Sequence, residues 1–284
     1  MSLKIGPLTK VFGANVRGVD LRKPIDWPTA DAILRALAEH LILVFPGQPM
    51  DDAQQISFSE IFGPLETTRG ANPAKGTVFA RQSNIDIETG TTIAADDRRM
   101  HYQKANMLWH SDSSFKSVPS RSSVLTAREI PAEGGATEFA STRAAYESLD
   151  AGRRAELDEL IVEHDLVYSR RLVGFEFTEK EAASMPASRH RLVQTCAVTG
   201  RKAVLIGAHA KEIVGWPIAK SRALLDELLE RATTPANTYR HEWRAGDVVV
   251  WDNRAAVHRA TPYDGTKYRR LMQRTTISMG AVPS

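Results

Sequence analysis

The C-terminal third of the chain sets the strongest constraint on its fold. Thr238 to Trp243, Val248 to Trp251 and Leu271 to Ile277 are short runs rich in β-branched and aromatic residues, which predict strands. Ala245-Gly246-Asp247 and Asp252-Asn253-Arg254 supply turns. Helical spacing appears elsewhere. Ile33, Leu34, Leu37, Ala38 and Leu41 predict a helix over Pro28 to Leu41, and Leu224, Leu225, Leu228 and Leu229 predict one over Ser221 to Thr233. Leu41 to Phe45 reads as a buried strand. Asp51 to Phe62 reads as a helix stopped by Gly63-Pro64. Many short strands with a few helices predict a mainly β chain with α decoration, a β-sandwich or jelly-roll core.

The 284 residues contain no repeat and no low-complexity linker, and are read as a single domain, 1–284. Asn72 to Tyr102 is polar and irregular, with Gly76, Gly90 and Asp96-Asp97-Arg98-Arg99. Residues 66–105 are therefore expected to form loops that cover a binding site. Lys and Arg number 37 against 34 Asp and Glu, a net charge of +3 without any block of like charges. That argues against nucleic acid and is compatible with steering small anions. There is no run of about 18 apolar residues, so no membrane span is expected. Met1 to Arg17 lacks the apolar core of a signal peptide. Cys196 is the single cysteine, so no internal disulfide can form; a reducing, cytoplasmic setting is expected, with Cys196 a small buried residue.

Chemistry concentrates in Asn106-Met107-Leu108-Trp109-His110-Ser111-Asp112. Read as a strand, this segment projects His110 and Asp112 to one face. Two histidines and one carboxylate with open positions are the ligand set of non-haem Fe(II) oxygenases. His258, after the turn at 252–254, is the candidate third ligand. Read as a strand, Arg270-Leu271-Met272-Gln273-Arg274 puts Arg270 and Arg274 on one face. A buried guanidinium must be paired, and it suits carboxylates. Two inward arginines therefore imply two anionic groups near the metal. On spacing alone, a solvated His-x-Asp pair, a hydrogen-bonded structural His258 and a solvated arginine pair stay open. A Ser/His/Asp hydrolase is disfavoured, because no Gly-x-Ser-x-Gly elbow occurs.

Trp109 to Phe115, Gly134-Gly135-Ala136-Thr137-Glu138-Phe139, and Trp251-Asp252-Asn253-Arg254 leading to His258 resemble the taurine and 2,4-dichlorophenoxyacetate dioxygenase (TauD/TfdA) family. The resemblance runs from Val44-Phe45-Pro46-Gly47-Gln48 through Phe62-Gly63-Pro64-Leu65-Glu66 to the final strand. Tyr168-Ser169-Arg170, Gly200-Arg201-Lys202 and Ile206-Gly207-Ala208-His209-Ala210 resemble its phenoxyacetate-herbicide branch. The resemblance implies a double-stranded β-helix (jelly-roll) core, Fe(II), 2-oxoglutarate as cosubstrate, O2, and a homo-oligomer. It matches His110, Asp112 and His258 to the iron ligands, and Thr137 and Arg270 to the pair that binds the far carboxylate of 2-oxoglutarate. Arg274 matches the arginine for the acidic group of the substrate. Asn106 and His209 match side chains near the substrate. The implied reaction hydroxylates a small anionic substrate, an aryloxyalkanoate such as 2,4-dichlorophenoxyacetate, giving a phenol and glyoxylate with succinate and CO2. An alkylsulfonate (taurine) dioxygenase and a non-oxygenase metal-binding jelly-roll protein are the alternatives. The chain departs from the pattern twice. One extra residue separates His258 from Arg270, at Gly265-Thr266, and Cys196 stands where relatives tend to carry histidine, so no role of that histidine is carried over.

Overall fold

The computed structural model describes residues 3–68, 74, 76–86 and 88–280. Its strands are β1 Lys4–Pro7, β2 Ala14–Arg17, β3 Ile42–Phe45, β4 Phe79–Ser83, β5 Ser120–Glu129, β6 Thr137–Ser141, β7 Ile161–His164, β8 Ser188–Arg191, β9 Val193–Thr195, β10 Lys202–Val204, β11 Ala210–Ile213, β12 Thr238–His241, β13 Val248–Asp252, β14 Ala256–Ala260 and β15 Leu271–Ser278. Its α-helices are α1 Trp27–His40, α2 Asp52–Glu60, α3 Arg98–Gln103, α4 Thr142–Glu147, α5 Ala151–Asp158, α6 Leu166–Arg171, α7 Glu179–Ala183 and α8 Ile218–Ala232. None of these is long and apolar enough to cross a membrane.

A seven-stranded sheet in the order β1-β2-β3-β13-β5-β15-β4 carries most of the core. Only its β2–β3 pairing is parallel. The central strand β13 is buried along its whole length. Val248 and Val250 pack with Ile33, Leu37, Phe45 and Phe58 on the side of α1 and α2. Val249 and Trp251 pack on the opposite side with Leu125, Phe139 and Met272. Burial on both faces explains why this strand reads as a continuous apolar run rather than an alternating one. Each such side chain contributes about 1.5–3 kcal/mol by leaving water. The helices on the outer face start where their caps dictate. Asp26 accepts from the backbone of Thr29 at 3.0 Å, and Asp51 forms a reciprocal capping box with Gln54.

A three-stranded sheet, β12-β6-β14, faces the large sheet, and its register governs what points inward. Phe139 lies opposite both Tyr239 and His258, and Thr137 opposite both His241 and Ala260. Paired residues project to the same side. These rows therefore share the inner face with Phe139, whose ring packs 5.5 Å from Trp251. Ala140 and Val257 project the other way, into a third core with Leu224, Leu225 and Leu228 of α8. The neighbouring outward row is charged. Glu138 meets Arg240 at 3.2 Å and Arg259 at 2.7 Å.

The predicted helices and strands appear with small shifts of boundary; α8 begins three residues before Ser221. The irregular reading of Asn72 to Tyr102 is corrected in part. β4 pairs with β15 at the sheet edge, and α3 is capped by Asp97. Asn72, with the rest of 69–73, 75 and 87, lies outside the described residues. The strand expected over 106–112 does not form. Asn106 sits in a 3-10 turn, Lys104–Met107, and His110 makes only an isolated bridge with His258. The backbone beyond it is held by side chains instead: Asn253 Oδ1 accepts from the Asp112 amide at 3.2 Å, and Ser120 Oγ donates to the Asp112 carbonyl at 2.6 Å.

Candidate metal centre

The bridge brings the two histidines together from positions 148 residues apart in sequence (258 minus 110). Each backbone amide donates to the other's carbonyl, at 3.0 and 2.9 Å. Their ring centroids lie 4.2 Å apart. One ligand atom from each of His110, Asp112 and His258 falls within 4.8 Å of the others, and all three residues are buried. His110 Nε2 is 3.8 Å from Asp112 Oδ1, and His258 Nε2 is 3.8 Å from Asp112 Oδ2. Such separations are too long for hydrogen bonds. His258 Nδ1 and Nε2 are buried without a hydrogen-bond partner. An orphaned buried nitrogen costs about 1–3 kcal/mol, a cost that a cation between the three groups would relieve. The donor set and these orphaned atoms therefore fit a divalent metal.

Protonation favours the same reading. Burial pushes the His110 pKa down, against the opposing pull of Asp112. Burial, then the neighbouring His110, pushes His258 well below its ordinary value. For Asp112, burial works to raise the pKa, but the Arg274 guanidinium and the His258 imidazole outweigh it and hold the carboxyl below its usual value. Neutral imidazoles beside an ionised carboxylate are the forms that ligate metals. His110 Nδ1 lies 2.8 Å from the Leu108 carbonyl, which can only accept, so the hydrogen sits on Nδ1 and Nε2 keeps its lone pair. His258 is oriented by packing instead, between Trp251 at 4.6 Å and Phe139 at 6.0 Å.

Asn253 ties these parts together. Its Oδ1 accepts from Trp251 Nε1 at 2.9 Å and from the Asp112 amide at 3.2 Å. Its Nδ2 donates to Ser123 Oγ at 3.0 Å, and Ser123 Oγ donates to Asp112 Oδ2 at 2.7 Å. One carboxylate oxygen of Asp112 is thereby fixed from the large sheet, while Arg274 Nη1 donates to the other.

Arg270 is buried, and its Nε has no partner. Among the described residues, the guanidinium donates to the carbonyls of Gln82 at 3.2 Å and Gly135 at 3.4 Å, and it faces the Tyr263 ring at 5.6 Å. Burial pushes its pKa down to about 10, with Tyr263 opposing, so it is still a cation at neutral pH. No carboxylate pairs with it among the described residues. Gly135 sits against it with φ +69°; a Cβ there would meet Arg270 Nε at 3.3 Å and Pro131 Cγ at 2.9 Å. The buried hydroxyl of Thr137 accepts from Trp243 Nε1 at 2.9 Å. His209 is buried, its ring 6.1 Å from His110 and 4.9 Å from Phe115, with Nδ1 2.8 Å from Ser169 Oγ. Asn106 is half-buried on the turn packed against β14, and among the described residues no hydrogen bond links its side chain to the three ligand candidates. Cys196 is buried and free.

Sequence reasoning missed three groups here. Asn253 acts through bonds that span 130 to 142 residues, and Ser123 through one of these and through its bond to Asp112. Arg170 is a further buried guanidinium, 4.3 Å above the Tyr102 ring, with Nε unpartnered. Burial, then the Arg170 charge, drives the His209 pKa well down. The adjacency of Arg170 to Ser169 was the available signal. Gly207 is equally constrained. At φ +115°, its Cβ would meet the Trp109 carbonyl at 2.9 Å and His110 Cα at 3.0 Å. Gly207→Ala is expected to cost about 2–4 kcal/mol in urea unfolding and to weaken metal binding by displacing His110. Wild-type stability and metal affinity together would contradict this.

Comparison with known proteins agrees with the geometry. Residues 4–276 match the family described as taurine catabolism dioxygenase TauD, TfdA family. The chain is 40% identical over 288 residues to an alpha-ketoglutarate-dependent 2,4-dichlorophenoxyacetate dioxygenase of Cupriavidus pinatubonensis, covering 99% of this chain and 100% of that one. It is 37% identical over 282 residues to a (S)-phenoxypropionate/alpha-ketoglutarate-dioxygenase of Sphingobium herbicidovorans, covering 96% and 94%. The crystal structure of AAD-2 in complex with Mn(II) and N-oxalylglycine superposes with a TM-score of 0.91 at 38% identity, over 100% of this chain and 98% of that one.

Proposed function

The chain belongs to the TauD/TfdA family of 2-oxoglutarate-dependent dioxygenases, and from that premise we propose that it is an Fe(II) enzyme that hydroxylates an aryloxyalkanoate such as 2,4-dichlorophenoxyacetate. His110, Asp112 and His258 would hold the iron. Bound there with 2-oxoglutarate and O2, the metal supplies the oxidation that places a hydroxyl on a substrate C–H while the cosubstrate becomes succinate and CO2. The carbon attacked is the one between the ether oxygen and the carboxylate. Its hydroxylated product is a hemiacetal; the bond between that carbon and the ether oxygen breaks, the ring keeps the oxygen and takes the proton as a phenol, and the carbon leaves as glyoxylate.

The observation that carries this reading is Arg270, a buried cation with an unused N–H and no carboxylate partner among the described residues. Together with Thr137 it would take the far carboxylate of 2-oxoglutarate. Arg274, already against Asp112, would hold the substrate anion beside the reacting carbon. Positioning of this kind, with exclusion of water, is the protein's share of the catalysis. His209 and Asn106 would line the substrate end, and residues 66–105 would cover it. The facing sheets support a double-stranded β-helix core; a cytoplasmic homo-oligomer completes the reading.

The test is a paired assay with Fe(II) and 2-oxoglutarate. Phenoxyacetates should release phenol, and taurine should release no sulfite; the reverse would make the enzyme an alkylsulfonate dioxygenase. Absence of succinate with every anion would favour a metal-binding protein without oxygenase activity. Arg274→Gln should lower kcat/KM for the phenoxyacetate by roughly 10- to 100-fold, the loss expected for a charge-assisted hydrogen bond to the substrate.

A further inference from the structure

Trp243 Nε1 donates to Thr137 Oγ1 at 2.9 Å, and both side chains are buried. A hydroxyl has one hydrogen and two lone pairs, whereas an indole N–H can only donate. The indole therefore claims a lone pair, and the Thr137 hydrogen must turn away from it. No acceptor for that hydrogen occurs among the described residues. Thr137 shares the inner face with Phe139 and His258, so its unspent donor lies on the side of the metal centre.

The indole is itself held in place. The His241 ring stands edge-on to Trp243, at 4.4 Å and 88°. His241 Nδ1 is 3.0 Å from the Tyr239 hydroxyl, and Nε2 is 3.2 Å from Asp247 Oδ2. Asp247 also accepts the backbone N–H groups of Gly47 and Arg244, both at 3.1 Å. His241, hydrogen-bonded to Tyr239 and lying close to Asp247, thus packs against the ring whose N–H sets the Thr137 rotor.

We propose that Trp243 is a positioning residue, whose N–H occupies the Thr137 oxygen so that the hydroxyl hydrogen is presented to the far carboxylate of 2-oxoglutarate. This rests on the assignment of Thr137 and Arg270 made above. A tryptophan that only fills space would be replaced by phenylalanine without effect on the cosubstrate.

The experiment is a double-mutant cycle read as the Kd of 2-oxoglutarate for the Zn(II)-loaded protein, by calorimetry. Thr137→Val should weaken binding about tenfold, the share of one charge-assisted hydrogen bond. Trp243→Phe should weaken it about three- to tenfold, with kcat at saturating 2-oxoglutarate nearly unchanged. The double variant should bind no more weakly than Thr137→Val alone, because the indole acts only through that hydroxyl. Additive losses, or no loss with Trp243→Phe, overturn the proposal while leaving the role of Thr137 intact. An unchanged Kd with Thr137→Val overturns the assignment of Thr137 and this inference with it. Should Trp243→Phe fail to fold, NMR of the wild-type protein decides. The indole N–H resonance displaced by Thr137→Val should move when 2-oxoglutarate is added to the Zn(II) form; a stationary resonance overturns the proposal.

Discussion

Asp112→Ala is expected to lower 2-oxoglutarate decarboxylation by on the order of 10³-fold or more, because a catalytic metal stabilises charge by several kcal/mol and each 1.36 kcal/mol is about tenfold in rate. Asp112 contacts both histidines' side of the site and is held by Ser123, the Asn253 network and Arg274. Its removal deletes the proposed anionic ligand and strands the Arg274 cation, so stability should also fall, by about 1–3 kcal/mol. The fold should survive, since the backbone at 112 is held through its amide and carbonyl. Release of CO2 from labelled 2-oxoglutarate, with circular dichroism as the folding control, measures both effects. Decarboxylation within tenfold of wild type would sink the metal assignment.

Arg270→Met should move binding and stability in opposite directions. Affinity for 2-oxoglutarate should drop by roughly 10- to 100-fold, as the charged donor proposed for its far carboxylate is lost. The cosubstrate-free protein should become more stable, by about 1–3 kcal/mol, because a buried cation without a counter-charge among the described residues is replaced by a side chain suited to burial. Urea unfolding without 2-oxoglutarate and calorimetry with it separate the two effects. A variant that is less stable yet binds 2-oxoglutarate normally would make Arg270 a structural residue.

Much of the fold was legible because β13 and β15 are written in β-branched and aromatic residues, and because α1 and α8 keep their apolar stripes. β4 was not legible. Phe79-Ala80-Arg81-Gln82-Ser83 has no β-branched residue, and it becomes a strand through its pairing with β15. Of the site, His110, Asp112 and His258 could be named, but the geometry that unites them could not. A strand was expected where a single bridge, a 3-10 turn and borrowed side-chain hydrogen bonds do the work. Asn253 and Ser123 stayed hidden for the same reason: each is an ordinary turn or strand residue until Asn253 meets Asp112 and Ser123 from more than a hundred positions away.

The outward row Arg240–Glu138–Arg259 also bears on how the chain finds its pairing during folding. A slip of one residue in β6 would carry Thr137 and Phe139 to the outside and turn Glu138 inward. An extra carboxylate would then crowd His110, Asp112 and His258, and the hydroxyl proposed to meet the cosubstrate would be gone. Such a misregistered sheet could still bury apolar surface through Ala140, so hydrophobicity alone guards poorly against it. The two arginines meet Glu138 only when β6 is in register with β12 and β14. Exposed ion pairs of this kind add little to equilibrium stability. Their larger contribution here is to make the inactive register the less favourable one.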